Sequence, residues 1–361
     1  MMLQIVKKQE MSPRNAAILR VSMVFAALIA AGVIILILGY NPITVYSKMI
    51  EGALTNKYRL TQTINKAIPL VILSLGVAVA FKMKFWNIGA EGQLYMGAIG
   101  ASYIALFHSD LPIYIMLPLM MLAGILCGGI WALIPAVLKS SLGTNETLVT
   151  LMMNYVAQKF VNYLQIGPWK DPKAFGFPKI ATFTDNAVLP KVFGIHIGWI
   201  IALILVVVVH ILLKHSKLGY EISVLGENPQ TARYAGMSIP KILLVSVLIS
   251  GGLCGLVGMM QASGIEKTLN EGISGGLGFT AIITAYLAQL SAPVILVVSF
   301  LFAVLLQGGT FLQVALEIPA SVAEVVQGVI LFFVLASEFF TNYKIVIRHR
   351  ESADAGKEAV E

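Results

Sequence analysis

The residues of this sequence best suited to chemistry are polar side chains set at the openings of long apolar runs. Asn87, Glu91 and Gln93 open one run. Asn145, Glu146, Thr147, Thr150 and Asn154 open another, with Tyr155 beside them, and Glu324 and Gln327 lie in a run near the C-terminal end. A carboxyl at membrane depth costs about 2.5–3.5 kcal/mol to insert, so such groups face a bundle interior or a water-filled path. At the start of a helix the same groups also answer the positive end of the helix dipole, and for Glu91 and Glu146 both readings stand. Thr284, Tyr286 and Gln289 bring hydroxyl, aromatic and amide groups to a further run. Together with Asn87, Asn154 and Tyr155 they offer what an uncharged, hydrogen-bonding solute requires of its path, which is amides, hydroxyls and aromatic faces rather than a fixed counter-charge.

Other chemistries find little support. The one Gly-Lys pair, Gly356-Lys357, has Glu351 where a Walker A loop places its first glycine and Glu358 after the lysine, so no phosphate cradle forms. The five histidines lack H-E-x-x-H spacing, and His210 and His215 are one residue too far apart for an i, i+4 pair. Gly272-Ile-Ser-Gly-Gly276 fits the G-x-S-x-G nucleophile elbow, but no strand pattern precedes Ser274 and the only later histidine is His349, so a glycine-rich re-entrant turn is favoured over an intramembrane hydrolase. Cys127 and Cys254 sit in apolar runs as packing residues. No catalytic residue, metal site or cofactor is assigned to this chain.

The elements that position these side chains belong to a membrane. Hydrophobic residues make up 58% of the 361 and charged residues 12%, where soluble domains carry about 45–50% and about 25%. Mean hydropathy is +0.84. So few charges cannot clothe a globule of this size in water. The net charge of +7 is scattered between apolar runs rather than gathered in a stripe, which excludes a nucleic-acid surface. An all-α, polytopic fold of ten membrane helices is expected: Ala16–Leu38, Ala67–Phe81, Ile88–Phe107, Leu111–Leu138, Leu148–Ile166, Ile197–Leu213, Ile242–Met260, Phe279–Leu290, Val294–Leu306 and Val322–Phe340. Some of these are short or broken, Ala67–Phe81 being cut off by Lys82 and Lys84. Gly124-x-x-x-Gly128 and Gly251-x-x-x-Gly255 mark the fourth and seventh spans as the tightly packed centre.

Lys7, Lys8, Arg14 and Arg20 precede the first span and place the N-terminus in the cytoplasm; ten spans return the C-terminus there. Residues 1–15 and 344–361 are then cytoplasmic segments around a membrane domain at 16–343, with an external loop at 167–196 and a cytoplasmic loop at 214–241. Within the latter, Asn228 is an N-cap, Pro229 stands at N1, a short helix runs to Ala235 and Gly236 ends it. Glycine-rich turns leading into short helices recur at Asn87–Ala98 and Gly275–Tyr286, the pattern of an inverted repeat with broken helices at matching positions.

Two stretches carry a family likeness: Asn87-Ile-Gly-Ala-Glu-Gly-Gln93 and Leu225-Gly-Glu-Asn-Pro-Gln-Thr-Ala-Arg-Tyr-Ala-Gly236. With them the chain resembles the integral-membrane permeases of ATP-binding-cassette (ABC) importers for simple sugars, nucleosides and branched-chain amino acids. Gly39-Tyr-Asn-Pro42, Gly143-Thr-Asn-Glu-Thr-Leu148, Gly167-Pro-Trp-Lys-Asp-Pro172, Ile318-Pro-Ala and Ala336-Ser-Glu-Phe339 make it most similar to the larger permease of the nucleoside (guanosine) branch. The resemblance implies that Gly226, Glu227, Asn228, Pro229, Ala232, Arg233 and Gly236 form a coupling helix docking on an ATPase. It also implies that Asn87, Gly89, Glu91 and Gly92 shape a membrane-embedded turn near the path.

The implied partners are a second permease subunit, a cytoplasmic ABC ATPase that binds ATP and Mg, an external Bmp-type substrate-binding lipoprotein and membrane lipid. The implied location is a bacterial cytoplasmic membrane. The polarity of Thr280, Thr284, Tyr286 and Gln289 departs from the family pattern and, if these residues face the path, points to a substrate other than a typical nucleoside. A ribose-type sugar permease and an ion-driven secondary transporter remain the alternatives.

Overall fold

The computed structural model describes residues 2–7, 13–174, 176–317 and 343–348, with isolated positions between 324 and 336. In chain order the elements are β1 (Met2–Lys7), α1 (Pro13–Ile37), α2 (Pro42–Leu54), α3 (Lys57–Lys82), α4 (Ala90–Phe107), α5 (Ile113–Leu142), α6 (Glu146–Ile166), β2 (Lys191–Val192), β3 (Ile195–His196), α7 (Gly198–His215), α8 (Lys217–Glu227), α9 (Pro229–Tyr234), α10 (Ile239–Met260), α11 (Leu277–Leu287), α12 (Ala292–Ala315) and β4 (Tyr343–Arg348). They fall into two compact units, residues 1–49 with 309–361, and residues 50–308.

In the first unit β1 and β4 pair antiparallel, Met2 opposite Arg348 and Lys7 opposite Tyr343. Between Phe25–Ile37 and Pro42–Leu54 the chain turns by 115°. The turn is written in Gly39-Tyr-Asn-Pro42: Gly39 takes φ +87°, the Asn41 side chain accepts from the Ile43 N–H at 2.9 Å, and Pro42 supplies a preset first helical residue.

In the second unit side-chain caps mark where helices begin. Asn56 accepts from the Arg59 N–H, Asn145 from those of Thr147 and Leu148, and Ser216 from that of Gly219. Helices α3, α4 and α10 form the buried centre, whereas α5 and α7 leave Leu122, Leu126, Ile130, Leu203, Ile204, Val207 and Val208 uncovered, as lipid-facing helices do. The contact between α5 and α10 is made by the two glycine pairs picked out in the sequence. A Cβ on Gly128 would lie 2.5 Å from the Gly251 carbonyl, and one on Gly255 2.2 Å from the Gly124 carbonyl. Helix α4 joins the same seam, where a Cβ on Gly97 would stand 2.2 Å from the Gly255 carbonyl oxygen.

Among the described residues five helices are long and apolar enough to cross a membrane: α3, α5, α7, α10 with its π-helical continuation to Glu266, and α12. The bent α1–α2 pair makes a sixth. Helix α3 corrects the sequence reading. It is 26 residues long and starts at Lys57, because the chain runs helically through Pro69 rather than beginning at Ala67. Helix α12 likewise extends to Ala315. The expected span Phe279–Leu290 is short, as read, with α11 covering 11 residues. The expected last span, Val322–Phe340 with Gln327, lies largely outside the described residues.

The 167–196 loop is ordered by the residues that follow α10. Phe183 N–H bonds the Lys267 carbonyl at 2.8 Å, Ser263 Oγ bonds the Ala187 carbonyl at 2.5 Å, and Thr268 Oγ1 bonds the Ile180 carbonyl at 3.1 Å. Both segments therefore sit at the same end of the bundle.

Candidate functional site

The entry to α4 is a knot of amides. Asn87 is fully buried; its Oδ1 accepts from Gly89 N–H at 3.0 Å and from Gln93 Nε2 at 2.8 Å, while its Nδ2 donates to Gln93 Oε1 at 3.2 Å and to Ser250 Oγ on α10 at 3.1 Å. Asn154, a little over two turns into α6, stitches the same entry from the other side. Its Oδ1 accepts from Gly92 N–H and its Nδ2 donates to the Ile88 carbonyl, each at 2.8 Å. Thr150 accepts from Ile88 N–H at 3.2 Å. Buried amides satisfied this completely fix geometry, because every alternative arrangement leaves a polar group unpaired.

Glu91 occupies the first turn of α4 and reaches the first turn of α11. Its carboxylate accepts from Ser274 Oγ and, at 2.8 Å, from Gly278 N–H. The approach is close: a Cβ on Gly278 would stand 2.5 Å from Glu91 N, and Gly275 and Gly276 take φ of +54° and +76° to bring the chain there. The two glycine-rich turns recognised as a possible repeat thus meet, and the carboxylate sits at the amino ends of two helices, where orphan N–H groups and both dipoles favour negative charge. Among the described residues no cation lies within ion-pair distance of it. Ser274, whose hydroxyl donates to Glu91, is a strut of this turn.

This junction opens on a pocket of about 300 Å³. Glu91, Asn154, Gln158, Glu271 and Ser274 give it polar walls, Tyr95, Tyr155 and Phe279 aromatic ones, and Gly272, Gly275 and Gly276 complete the lining. Glu271 is held in place by Lys159 Nζ at 2.9 Å and by Asn162 Nδ2, which together keep its carboxyl below the usual range. Tyr95 donates its hydroxyl to the Glu271 carbonyl at 2.7 Å. The arrangement can take a solute that presents hydroxyls to carboxylates and amides and a flat face to an aromatic ring.

The nine residues expected on a path therefore separate. Glu91, Asn154 and Tyr155 line the pocket, while Asn87 and Gln93 form the amide pair behind it. Glu146 makes an ion pair with Lys139 at 2.6 Å. Thr284 is buried, its hydroxyl against Ser74 Oγ and the Ala281 carbonyl. Tyr286 stacks on Trp86 with centroids 6.2 Å apart, and Gln289 lies in a separate pocket beside Lys82 and Lys214. The polar set on α11 thus does not converge on the Glu91 pocket. Sequence reasoning did not assign Tyr95, Gln158, Glu271, Ser274 or Phe279 to the path. The available signal was the glycine turn at 272–276, which had to fold against another polar helix opening.

The 214–241 segment is two helices. Asn228 Oδ1 accepts from Gln230 N–H at 2.8 Å, Pro229 opens α9, and Gly236 leaves it at φ +72°. Ala232 is buried, whereas Glu227, Asn228, Pro229, Arg233 and Tyr234 are exposed, so α9 presents a polar knob anchored at one point. Gly226 belongs not to α9 but to the end of α8, as does Glu227. Its contact explains the glycine: a Cβ there would stand 2.1 Å from the Lys82 carbonyl at the end of α3.

The family model described as "Branched-chain amino acid transport system / permease component" matches residues 59–335. Over 350 residues, 93% of this chain and 92% of the relative, the sequence is 34% identical to the glucose ABC transporter permease protein TsgB13 of Haloferax volcanii. It is 31% identical to the guanosine ABC transporter permease protein NupP of Bacillus subtilis, covering 87% of this chain and 91% of the relative. Identity to the nucleoside ABC transporter permease protein NupB of Lactococcus lactis is also 31%, covering 89% and 91%.

Proposed function

We propose that this chain, which belongs to the permease-component family of the branched-chain amino acid transport system type, passes purine nucleosides through the Glu91 pocket. It is a multi-pass ABC permease subunit of the cytoplasmic membrane. The observation that carries the substrate reading is the pocket wall itself, in which two carboxylates and two amides stand among Tyr95, Tyr155 and Phe279. A nucleoside presents ribose hydroxyls to the first set and a base to the second. The guanosine and nucleoside relatives agree with this reading.

In this reading α9 docks on a separate ATPase, an external binding protein of the Bmp type delivers the solute, and a second permease subunit completes the path. A contiguous route supports coupling. Gly226 packs on the end of α3, Ser74 in α3 bonds the Ala281 carbonyl of α11 at 3.1 Å, and α11 begins at the Glu91 junction. A push on α9 thus has rigid elements through which to reach the pocket.

A simple sugar is the second reading, favoured by the glucose relative. The test is uptake of labelled guanosine, glucose, ribose and leucine by cells with and without this gene. Loss of guanosine uptake alone supports the nucleoside reading, and unchanged guanosine uptake beside lost glucose or ribose uptake replaces it with the sugar one.

A further inference from the structure

A second pocket, of about 220 Å³, lies where α3 and α7 end and α12 begins. Lys82, Lys214 and His210 line it, with Gln289 and Ser291 as further polar groups. Lys82 is half-buried, and its ammonium donates to the Leu213 carbonyl at a long 3.5 Å. Among the described residues no carboxylate lies within ion-pair distance of either lysine. Two ammonium groups sharing one cavity repel unless an anion joins them, and the repulsion is stronger beside low-dielectric surroundings than in water. The pocket wall at Ser291 and Ala292 is the amino end of the 24-residue α12, which adds the positive end of a helix dipole. The chain reaches that end through Gln289 and Leu290 at φ +51° and +55°, a left-handed pair that non-glycine residues adopt at some cost.

The cavity is not purely polar. Leu213, Leu290 and Ala292 complete it, and beside His210 helix α7 leaves Val207, about one turn before it, and Ile211, the next residue, uncovered. A small free anion has no use for that apolar strip, whereas an acyl chain does. We propose that this pocket binds the phosphodiester headgroup of an anionic phospholipid, on the face of the membrane that carries α8 and α9. Basic pockets between membrane helices bind such headgroups through charge and are supported by acyl contact. The placement gives the lipid a mechanical position, since the Lys82 carbonyl is the surface on which Gly226 rests.

The test uses the full chain, extracted from discs of equal phosphatidylcholine and phosphatidylglycerol and assayed by mass spectrometry for the lipid it retains. The wild type is expected to keep phosphatidylglycerol several-fold over phosphatidylcholine. The Lys82→Gln, Lys214→Gln double variant should lose that preference, the double Arg variant should keep it, and Lys217→Gln with Lys241→Gln, outside the pocket, should keep it too. Lys214→Gln alone, at an exposed position that tolerates change, should lower the preference and guards against a double variant that does not fold. A preference equal to wild type in both Gln variants overturns the proposal, as does full displacement of phosphatidylglycerol by excess inorganic phosphate, which identifies a free-anion site.

Discussion

Glu91 does two things with one carboxylate: it caps the start of α11 and it forms a wall of the pocket. Glu91→Ala removes two charge-assisted hydrogen bonds, each of about 1.5–3 kcal/mol, and is expected to abolish uptake and lower the thermal midpoint of the detergent-extracted protein. Glu91→Gln keeps an acceptor for Gly278 N–H and should retain most of the stability while losing transport; wild-type transport by Glu91→Gln would mean that the charge is immaterial. His196 offers a pH test away from the pocket. It is 2% exposed, its Nδ1 accepts from Gly198 N–H at 3.2 Å, and burial with the Lys191 charge lowers its pKa to about 4. Between about 6.5, the unfolded value, and about 4, the unfolded chain binds more protons, so stability falls as pH drops through that window, by about 3 kcal/mol at its lower end. His196→Gln should flatten the pH dependence of the thermal midpoint over this range, whereas a wild-type midpoint constant from pH 7 to pH 4.5 contradicts the assignment. At this scale the sequence made Glu91 and Asn154 legible, because polarity at a helix opening is costly and visible. Tyr95, Gln158 and Glu271 stayed hidden, since their role depends on which helices meet.

Helix contacts were legible where small residues recur at a four-residue interval. Gly124, Gly128, Gly251 and Gly255 meet as their spacing implied, but Gly97, which the glycine spacing did not single out, packs as closely against α10. Gly97→Ala drives a methyl into the Gly255 backbone and should cost more than the ~1–3 kcal/mol of ordinary overpacking. Gly76→Ala, whose Cβ would meet the Ser250 carbonyl at 2.9 Å and Cys254 Sγ at 3.0 Å, should cost less, so the thermal midpoints should fall in that order. Helix α9 was readable from Asn228, Pro229 and Gly236, since caps act locally. Helix α8 was missed because its buried face, Gly219, Ile222, Leu225 and Gly226, takes its partners from elsewhere in the chain, Gly219 packing on the end of α7 and Gly226 on distant α3. Exchanging the exposed charges, Glu227→Lys with Arg233→Glu, should leave the protein in the membrane and suppress both transport and substrate-stimulated ATP hydrolysis in reconstituted vesicles. Normal values of both would remove α9 from the coupling route.

For the whole molecule, composition alone placed the chain in a bilayer, and nine of the ten expected runs correspond to helices among the described residues. Length was harder to read than existence. Lysines at the ends of α3 and α7 look like interruptions in a hydropathy profile, yet the helices reach them and turn their charges toward a shared pocket. Burial is equally hidden, since α3 and α10 are as apolar as α5 and α7 yet far more enclosed. The central claim, that the Glu91 pocket is the nucleoside path, meets its most direct test in accessibility. Gln158→Cys, with Cys127 and Cys254 replaced by alanine, places a thiol in the pocket wall without disturbing the amide knot behind it. In the reconstituted transporter a small membrane-impermeant thiol reagent should label this residue in at least one nucleotide state, and guanosine should slow the labelling while leucine does not. Labelling that fails in every nucleotide state, or that proceeds at one rate with and without guanosine, contradicts the account.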